Sequence, residues 1–158
     1  GTKGLEHRIG GLEKEHETGN ISYDPENHEF MVRLRAEKIE KIADYIPLQK
    51  IEQGKEKGKL LVLGWGSTYG SIKTAVAEAI KEGYDVSQTH LTYINPLPKN
   101  LGEIIKSFDK VLIPEMNMGQ LSKIIRDKFL IDAIGLNKIK GLPFMAEEIK
   151  KAIVNTLK

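Results

Sequence analysis

Two segments of the chain carry residue types at spacings that could support chemistry. The first is Gly64-Trp65-Gly66-Ser67-Thr68-Tyr69-Gly70, lying between an apolar run and a helical stripe. Backbone N–H groups in a strand-to-helix turn, aided by the helix dipole, can receive an anion, so a bound phosphate is one reading. The spacing is G-x-G-x-x-x-G, one residue longer than the dinucleotide fingerprint, and no acidic residue stands at a second strand end to hold a ribose. Nor does Gly-Lys-Ser/Thr occur, as a P-loop requires. The other reading is structural: the glycines turn the chain tightly and Ser67 or Thr68 caps the helix. Trp65, the single tryptophan, either stacks on a partner or fills the edge of a sheet.

The second segment is Glu115-Met116-Asn117-Met118-Gly119-Gln120. Glu115 follows an apolar run, at the strand end where open α/β sheets place functional groups, which makes a general base one reading. No His, Cys, Lys or second carboxylate follows within the same turn to complete a pair for proton transfer or nucleophilic attack. The reading preferred on that ground is hydrogen bonding by Glu115, Asn117 and Gln120 that fixes the loop or holds a neighbouring subunit. His7, His16, His28 and His90 stand at no metal-ligand spacing and read as surface or structural residues. His28, beside Glu26 and Asn27, is singled out because its segment is too polar for a core and too particular for a spacer. With no Cys, the chain can form no disulfide, thiolate nucleophile or chain-held iron–sulfur cluster, and a reducing compartment, the cytoplasm, is expected.

The elements that position these loops follow from periodicity. Residues 1–26 show neither helical nor alternating pattern and read as an extended arm. A helix is expected over 25–45, with Asp24 as N-cap and Pro25 at the first helical position. Ile46-Pro47 ends it, and 50–59 reads as a polar loop, which divides the chain into a linker arm over 1–50 and a compact domain over 51–158. Leu60-Leu61-Val62-Leu63 is the uninterrupted apolar run of a strand covered on both faces. A helix with Ile72, Ala75, Val76, Ala79 and Ile80 inward follows and ends at Gly83. Strands are expected over 86–91, over 110–114 and within 131–139, with helices over 100–108, 120–129 and 146–157. Strand and helix alternating at this spacing indicates a three-layer α/β/α domain with a mostly parallel sheet.

Composition narrows the class. The chain has 158 residues, a net charge of +2 and no basic block, so nucleic acid is not an expected partner. No apolar run approaches the ~20 residues of a membrane span. No Met opens the sequence and no charged-then-apolar leader is present, so the Gly1-Thr2-Lys3-Gly4 start reads as part of something longer.

Taken in order, several motifs resemble a known family. Gly4-Leu5-Glu6-His7, then Asp24-Pro25-Glu26-Asn27-His28 with Met31, Arg33 and Lys38, resembles the linker after the pyrimidine-binding domain in α subunits of 2-oxoacid:ferredoxin oxidoreductases. Trp65-Gly66-Ser67-Thr68, Ile94-Asn95-Pro96-Leu97-Pro98 and Pro114-Glu115-Met116-Asn117-Met118-Gly119-Gln120-Leu121 look like three loops of that subunit's C-terminal domain. The opening motif points to the 2-oxoglutarate branch. The resemblance implies a transketolase C-terminal domain-like fold with a five-stranded sheet, one strand antiparallel, the strand missing from the periodicity lying near Leu142 or within 131–139. It implies an enzyme that oxidatively decarboxylates 2-oxoglutarate to succinyl-CoA and passes electrons to ferredoxin. Thiamine diphosphate, Mg, an iron–sulfur cluster and CoA are implied for the complete enzyme and none for this chain. The implied partners are a thiamine-binding β subunit and the rest of the α subunit, with ferredoxin for the whole complex; self-association of the chain is a further expectation. On this reading Gly64, Trp65, Gly66, Ser67, Thr68, Gly70, Pro96, Glu115, Asn117, Gly119 and Gln120 serve an interface or a loop ligand. Rival readings are an independent nucleotide- or CoA-binding domain using 64–70, and a scaffold that binds nothing.

Overall fold

The computed structural model describes residues 1–6 and 9–158. His7, the last residue of the opening motif, lies outside the described residues. The chain forms two compact units, Gly1–Tyr45 and Ile46–Lys158. Among the described residues no helix is long and apolar enough to cross a membrane.

In the first unit, α1 spans Pro25–Glu40 and continues as a 3-10 turn over Lys41–Asp44. Its start is the one the sequence specifies: Asp24 accepts a hydrogen bond from the Glu26 N–H, and Pro25, which has no N–H to satisfy, opens the helix. No residue of α1 is buried, so polar contacts and not a core hold the preceding arm. Lys14 and Ile21 form an antiparallel bridge, and Asn27 Nδ2 donates to the Lys14 carbonyl at 3.0 Å. Glu13 is the centre of this unit. Its Oε2 lies 2.8 Å from His28 Nδ1, and Arg35 Nη1 donates to its Oε1 at 3.0 Å. The arm expected to be extended is thus folded back on α1, and His28 has a defined partner.

In the second unit, β1 (Gly58–Trp65), β2 (Val86–Leu91), β3 (Phe108–Glu115) and β4 (Ile134–Asn137) form one sheet in the order β2-β1-β3-β4. All three pairings are parallel. α3 (Leu101–Lys106) and α4 (Gln120–Phe129) contribute Leu101, Ile105, Leu121 and Ile125 to a core with Leu61, Leu63 and Ile113. α2 (Tyr69–Lys81) and α5 (Ala146–Leu157) contribute Ile72, Val76, Ile149 and Ile153 to a second core with Leu60, Val62 and Leu112. Successive strand residues point to opposite faces, which is why a strand buried on both sides reads as unbroken leucine and valine. Each leucine so enclosed contributes roughly 2 kcal/mol.

Three expectations require correction. The described residues form four strands, all parallel, and not five with one antiparallel. The missing element is neither near Leu142 nor within 131–139 beyond β4. It is upstream, where Gln53 makes a single antiparallel bridge to Gln88 on the outer edge of β2, with Glu52 N donating to the Gln88 carbonyl at 2.8 Å. Gly54, at φ 89°, turns the backbone out of the ladder before a second bridge forms. The supposed polar loop is accordingly fixed in place. Gln49 Nε2 donates to Thr89 Oγ1 at 2.7 Å, Thr89 Oγ1 donates to the Lys50 carbonyl, and Ser87 Oγ donates to the Lys55 carbonyl. Ser87, Gln88 and Thr89, buried polar residues in the middle of β2, are there to bind this segment.

Arg35, and after it His28, hold the Glu13 carboxyl down from the ordinary 4.5 to about 2. A carboxylate with a depressed folded-state pKa adds stability above its unfolded value that is lost as the pH falls toward the folded one. The arm's anchoring should therefore persist above pH 4.5 and fail as the pH drops toward 2. Amide exchange of residues 11–24, followed across that range, would show it, and Glu13→Gln should give fast exchange at every pH.

Candidate functional site

The site is built where β1 and β3 end. Gly64 packs under α2: a Cβ there would lie 2.6 Å from Ile72 Cδ1 and 2.7 Å from His90 Nδ1, so a larger residue would force those side chains to shift. Trp65 closes β1, Gly66 reverses the chain at φ 58°, and Gly66–Thr68 form a 3-10 turn into α2. Thr68 does not cap α2 as expected. Its hydroxyl donates instead to the Trp65 carbonyl at 2.8 Å and closes the turn. Gly70 is already inside α2 with nothing within 4 Å of where a Cβ would stand, so the turn needs only the first two glycines of the motif.

Glu115 ends β3 with its side chain wholly buried. Its Oε2 accepts from the Leu121 N–H at 2.8 Å and its Oε1 from the Ser122 N–H at 2.9 Å. Asn117 Oδ1 accepts from the N–H groups of Gly119, at 2.8 Å, and Gln120, at 2.9 Å. The first donors of α4, which would otherwise be unsatisfied, are thereby filled from within the chain. Glu115 is neither a base nor a group awaiting donors across an interface, because both its oxygens are engaged and enclosed. Pro96, which follows a cis peptide bond, is also buried, as are Thr68 and Gly119.

The loops converge on a cleft of about 190 Å³ lined by Trp65, Gly66, Ser67, Thr68, Met116 and Asn117. Ser67 Oγ lies 3.7 Å from Met116 Sδ across it. Gln120 is exposed beside the cleft without lining it, and Met118 is 73 % exposed. The lining holds no cation to neutralise a phosphate and no acid or base to move a proton, and the volume is below that of ordinary small-molecule pockets. Nothing in it supports 64–70 as a nucleotide or CoA loop. What it offers is an aromatic face, a thioether and a few hydrogen-bonding groups.

His90, read from the sequence as a surface or structural residue, is paired with Gly64 across β1 and β2. Its ring meets Tyr69 edge-on at 4.9 Å, and its Nδ1 is buried without a hydrogen-bond partner among the described residues. Burial pushes its pKa below the ordinary histidine value, against the weaker opposing pull of Glu52 and the Gly66 backbone. It is a neutral packing residue under the Trp65 turn. Its nearness to that turn comes from β1–β2 register, which no local pattern announces.

Two outcomes follow from this geometry. Glu115→Gln should destabilise the chain by about 2 kcal/mol, because an amide NH2 would face a backbone N–H at one of the two capping bonds; urea denaturation measures it. For His90, the unfolded chain takes up a proton near pH 6.5 while the folded chain resists it, so stability should fall as the pH drops below 6.5. Melting temperatures from pH 8 to pH 5 should show that slope reduced in His90→Gln.

No family model matches the chain. It is 46% identical over 153 residues to the 2-oxoglutarate oxidoreductase subunit KorA of Mycobacterium tuberculosis, covering 97% of this chain and 23% of that protein. It is 30% identical over 154 residues to the 2-oxoglutarate synthase subunit KorA of Methanocaldococcus jannaschii, covering 96% of this chain and 41% of that one. Among solved structures, a 2-oxoglutarate:ferredoxin oxidoreductase from Magnetococcus marinus, with 2-oxoglutarate, coenzyme A and succinyl-CoA bound, superposes with a TM-score of 0.89 and 31% identity. That match covers all of this chain and 28% of the other. The chain therefore spans less than half the length of each of these relatives. By this similarity along nearly its whole length, the chain belongs to the KorA α-subunit family of the 2-oxoglutarate oxidoreductases.

Proposed function

We propose that this chain is the transketolase C-terminal-like domain through which the α subunit is assembled with a thiamine-binding β subunit, and that it carries no catalytic group itself. The complete enzyme oxidatively decarboxylates 2-oxoglutarate to succinyl-CoA with ferredoxin as electron acceptor, in the cytoplasm. The observation that carries this reading is the carboxyl edge of the sheet. Trp65 is half-buried there, beside the exposed Ser67, Met118 and Gln120, and no proton-transfer pair lines the cleft. Aromatic and methionine side chains at an uncharged edge are what interface cores are made of.

The cofactors of the complete enzyme do not fit the residues present. Iron–sulfur clusters are held by cysteine thiolates, and the chain has none. Thiamine diphosphate with Mg needs oxygen ligands gathered round a metal, and the described residues bring together no group of three metal-ligating side chains. No step is derived through either group.

The reading is tested by co-expressing the subunit with its β partner. Trp65→Ala should weaken assembly by about 2 kcal/mol or more, as removal of a buried aromatic anchor does, and should destabilise the chain alone by less, through the lost contact with the first core. A lower melting temperature with assembly intact would assign Trp65 to the fold and remove the interface reading. The purified chain alone should not reduce ferredoxin or a viologen dye with 2-oxoglutarate and CoA; turnover from it would overturn the assignment.

A further inference from the structure

The chain between β4 and α5, residues 138–145, lies at the carboxyl edge of the sheet, because β4 runs parallel to β3 and ends beside Glu115. Ile139, Leu142 and Met145 are exposed. Within 138–145 only Phe144 is buried, its ring in the second core. A segment with a single apolar foothold gains little from burial. Polar bonds must therefore hold it closed.

Most of those bonds meet at Lys138. Its Nζ donates to Glu148 Oε2 at 2.7 Å, to Glu148 Oε1 at 3.0 Å and to the Pro143 carbonyl at 2.9 Å, which occupies all three N–H groups of an ammonium. The same Nζ lies 5.5 Å from the centre of the Phe144 ring, and the side chain is only 12 % exposed, unusual for a lysine. Glu148 in turn accepts from the Met145 N–H at 2.7 Å, so one carboxylate both starts α5 and closes the loop. At the other end the Lys138 N–H donates to the Glu115 carbonyl at 2.9 Å, which fixes that end to the sheet. The loop also reaches the wall of the cleft. Ser71 Oγ, in the first turn of α2 and just after the cleft residues Ser67 and Thr68, donates to the Phe144 carbonyl at 2.6 Å. Met116, which lines the cleft, packs against the same core as Phe144.

We propose that residues 138–145 are a flap, latched by the Lys138–Glu148 pair and plugged by Phe144, which opens as one unit and uncovers the second core beside the cleft. An ion pair standing in water would be a weak latch. Here the ammonium is enclosed and binds both Glu148 and the Pro143 carbonyl, so its loss releases the two ends of the loop together. Opening withdraws one buried side chain, which costs far less than unfolding the sheet. The latch is built from this chain alone and does not depend on the partner that the edge meets.

Amide exchange of the 158-residue chain near neutral pH tests the flap, with Lys138→Met, which keeps most of the apolar stem, Glu148→Gln, and the two together. Lys138→Met should speed exchange of the Met145 and Glu148 N–H groups about tenfold or more, the loss expected of bonds to a charged group, and leave the strand amides of 60–63 and 111–113 unchanged. If the pair is the latch, the double variant should exchange no faster than Glu148→Gln alone. Unchanged exchange in Lys138→Met, or additive effects of the two substitutions, would overturn the proposal. Equal acceleration in the strands, or a Lys138→Met chain that fails to fold, would show that the pair holds the whole unit and would overturn it as well.

Discussion

The carboxylate of Glu115 is the interaction on which the rest of the second unit depends. It ends the central strand β3, lies wholly inside, and fills two first-turn N–H groups of α4. A strand and the helix after it are thus joined by one side chain, and the four residues between have little freedom. Asn117 fills the remaining donors of that turn, and the Glu115 carbonyl accepts from Lys138 N–H, tying the end of β4 to the same point. A buried carboxylate is costly unless its oxygens are engaged, and here the helix dipole and two short bonds offset that cost.

That bond also decides what the neighbouring cleft can do. A helix N-terminus facing a strand end is where an α/β fold commonly receives an anion. In this chain the position after β3 is taken by the protein's own carboxylate, and the turn after β1 is closed on itself by Thr68. The fold keeps the shape of a ligand-binding edge while its polar groups are used internally. What remains outward is Trp65, methionine and a few uncharged polar groups, with no charge to complement a charged metabolite.

The two edges of the sheet are treated differently as well. On the β2 side, the backbone of Gln88 pairs with Glu52 and Gln53, and the Ser87 and Thr89 hydroxyls donate to the Lys55 and Lys50 carbonyls, which covers part of the strand edge that invites unwanted pairing. On the β4 side the strand is short and three of its four residues are exposed. An asymmetry of this kind is expected of a domain that sits beside others.

Much of the architecture was legible in the chain itself. The unbroken Leu60-Leu61-Val62-Leu63 run, short and followed by a glycine-rich turn, reads as a strand covered on both faces, and the inward stripe from Ile72 to Ala79 reads as a helix on such a sheet. Asp24-Pro25 specifies the start of α1 by the same kind of rule, and the ordered loops were enough to identify the family. What tertiary structure decided was the role of each polar residue. Gln53 became a strand remnant because β2 presents Gln88 to it, Glu115 became a cap because α4 folds back over its strand, His90 became a packing residue because β1–β2 register sets it under Gly64, and Leu130 became exposed because α4 turns into β4 there. Hydrophobic periodicity is written along the chain, residue by residue, whereas a polar group is defined by the partner it meets, and partners tens of residues away are set only when the layers close.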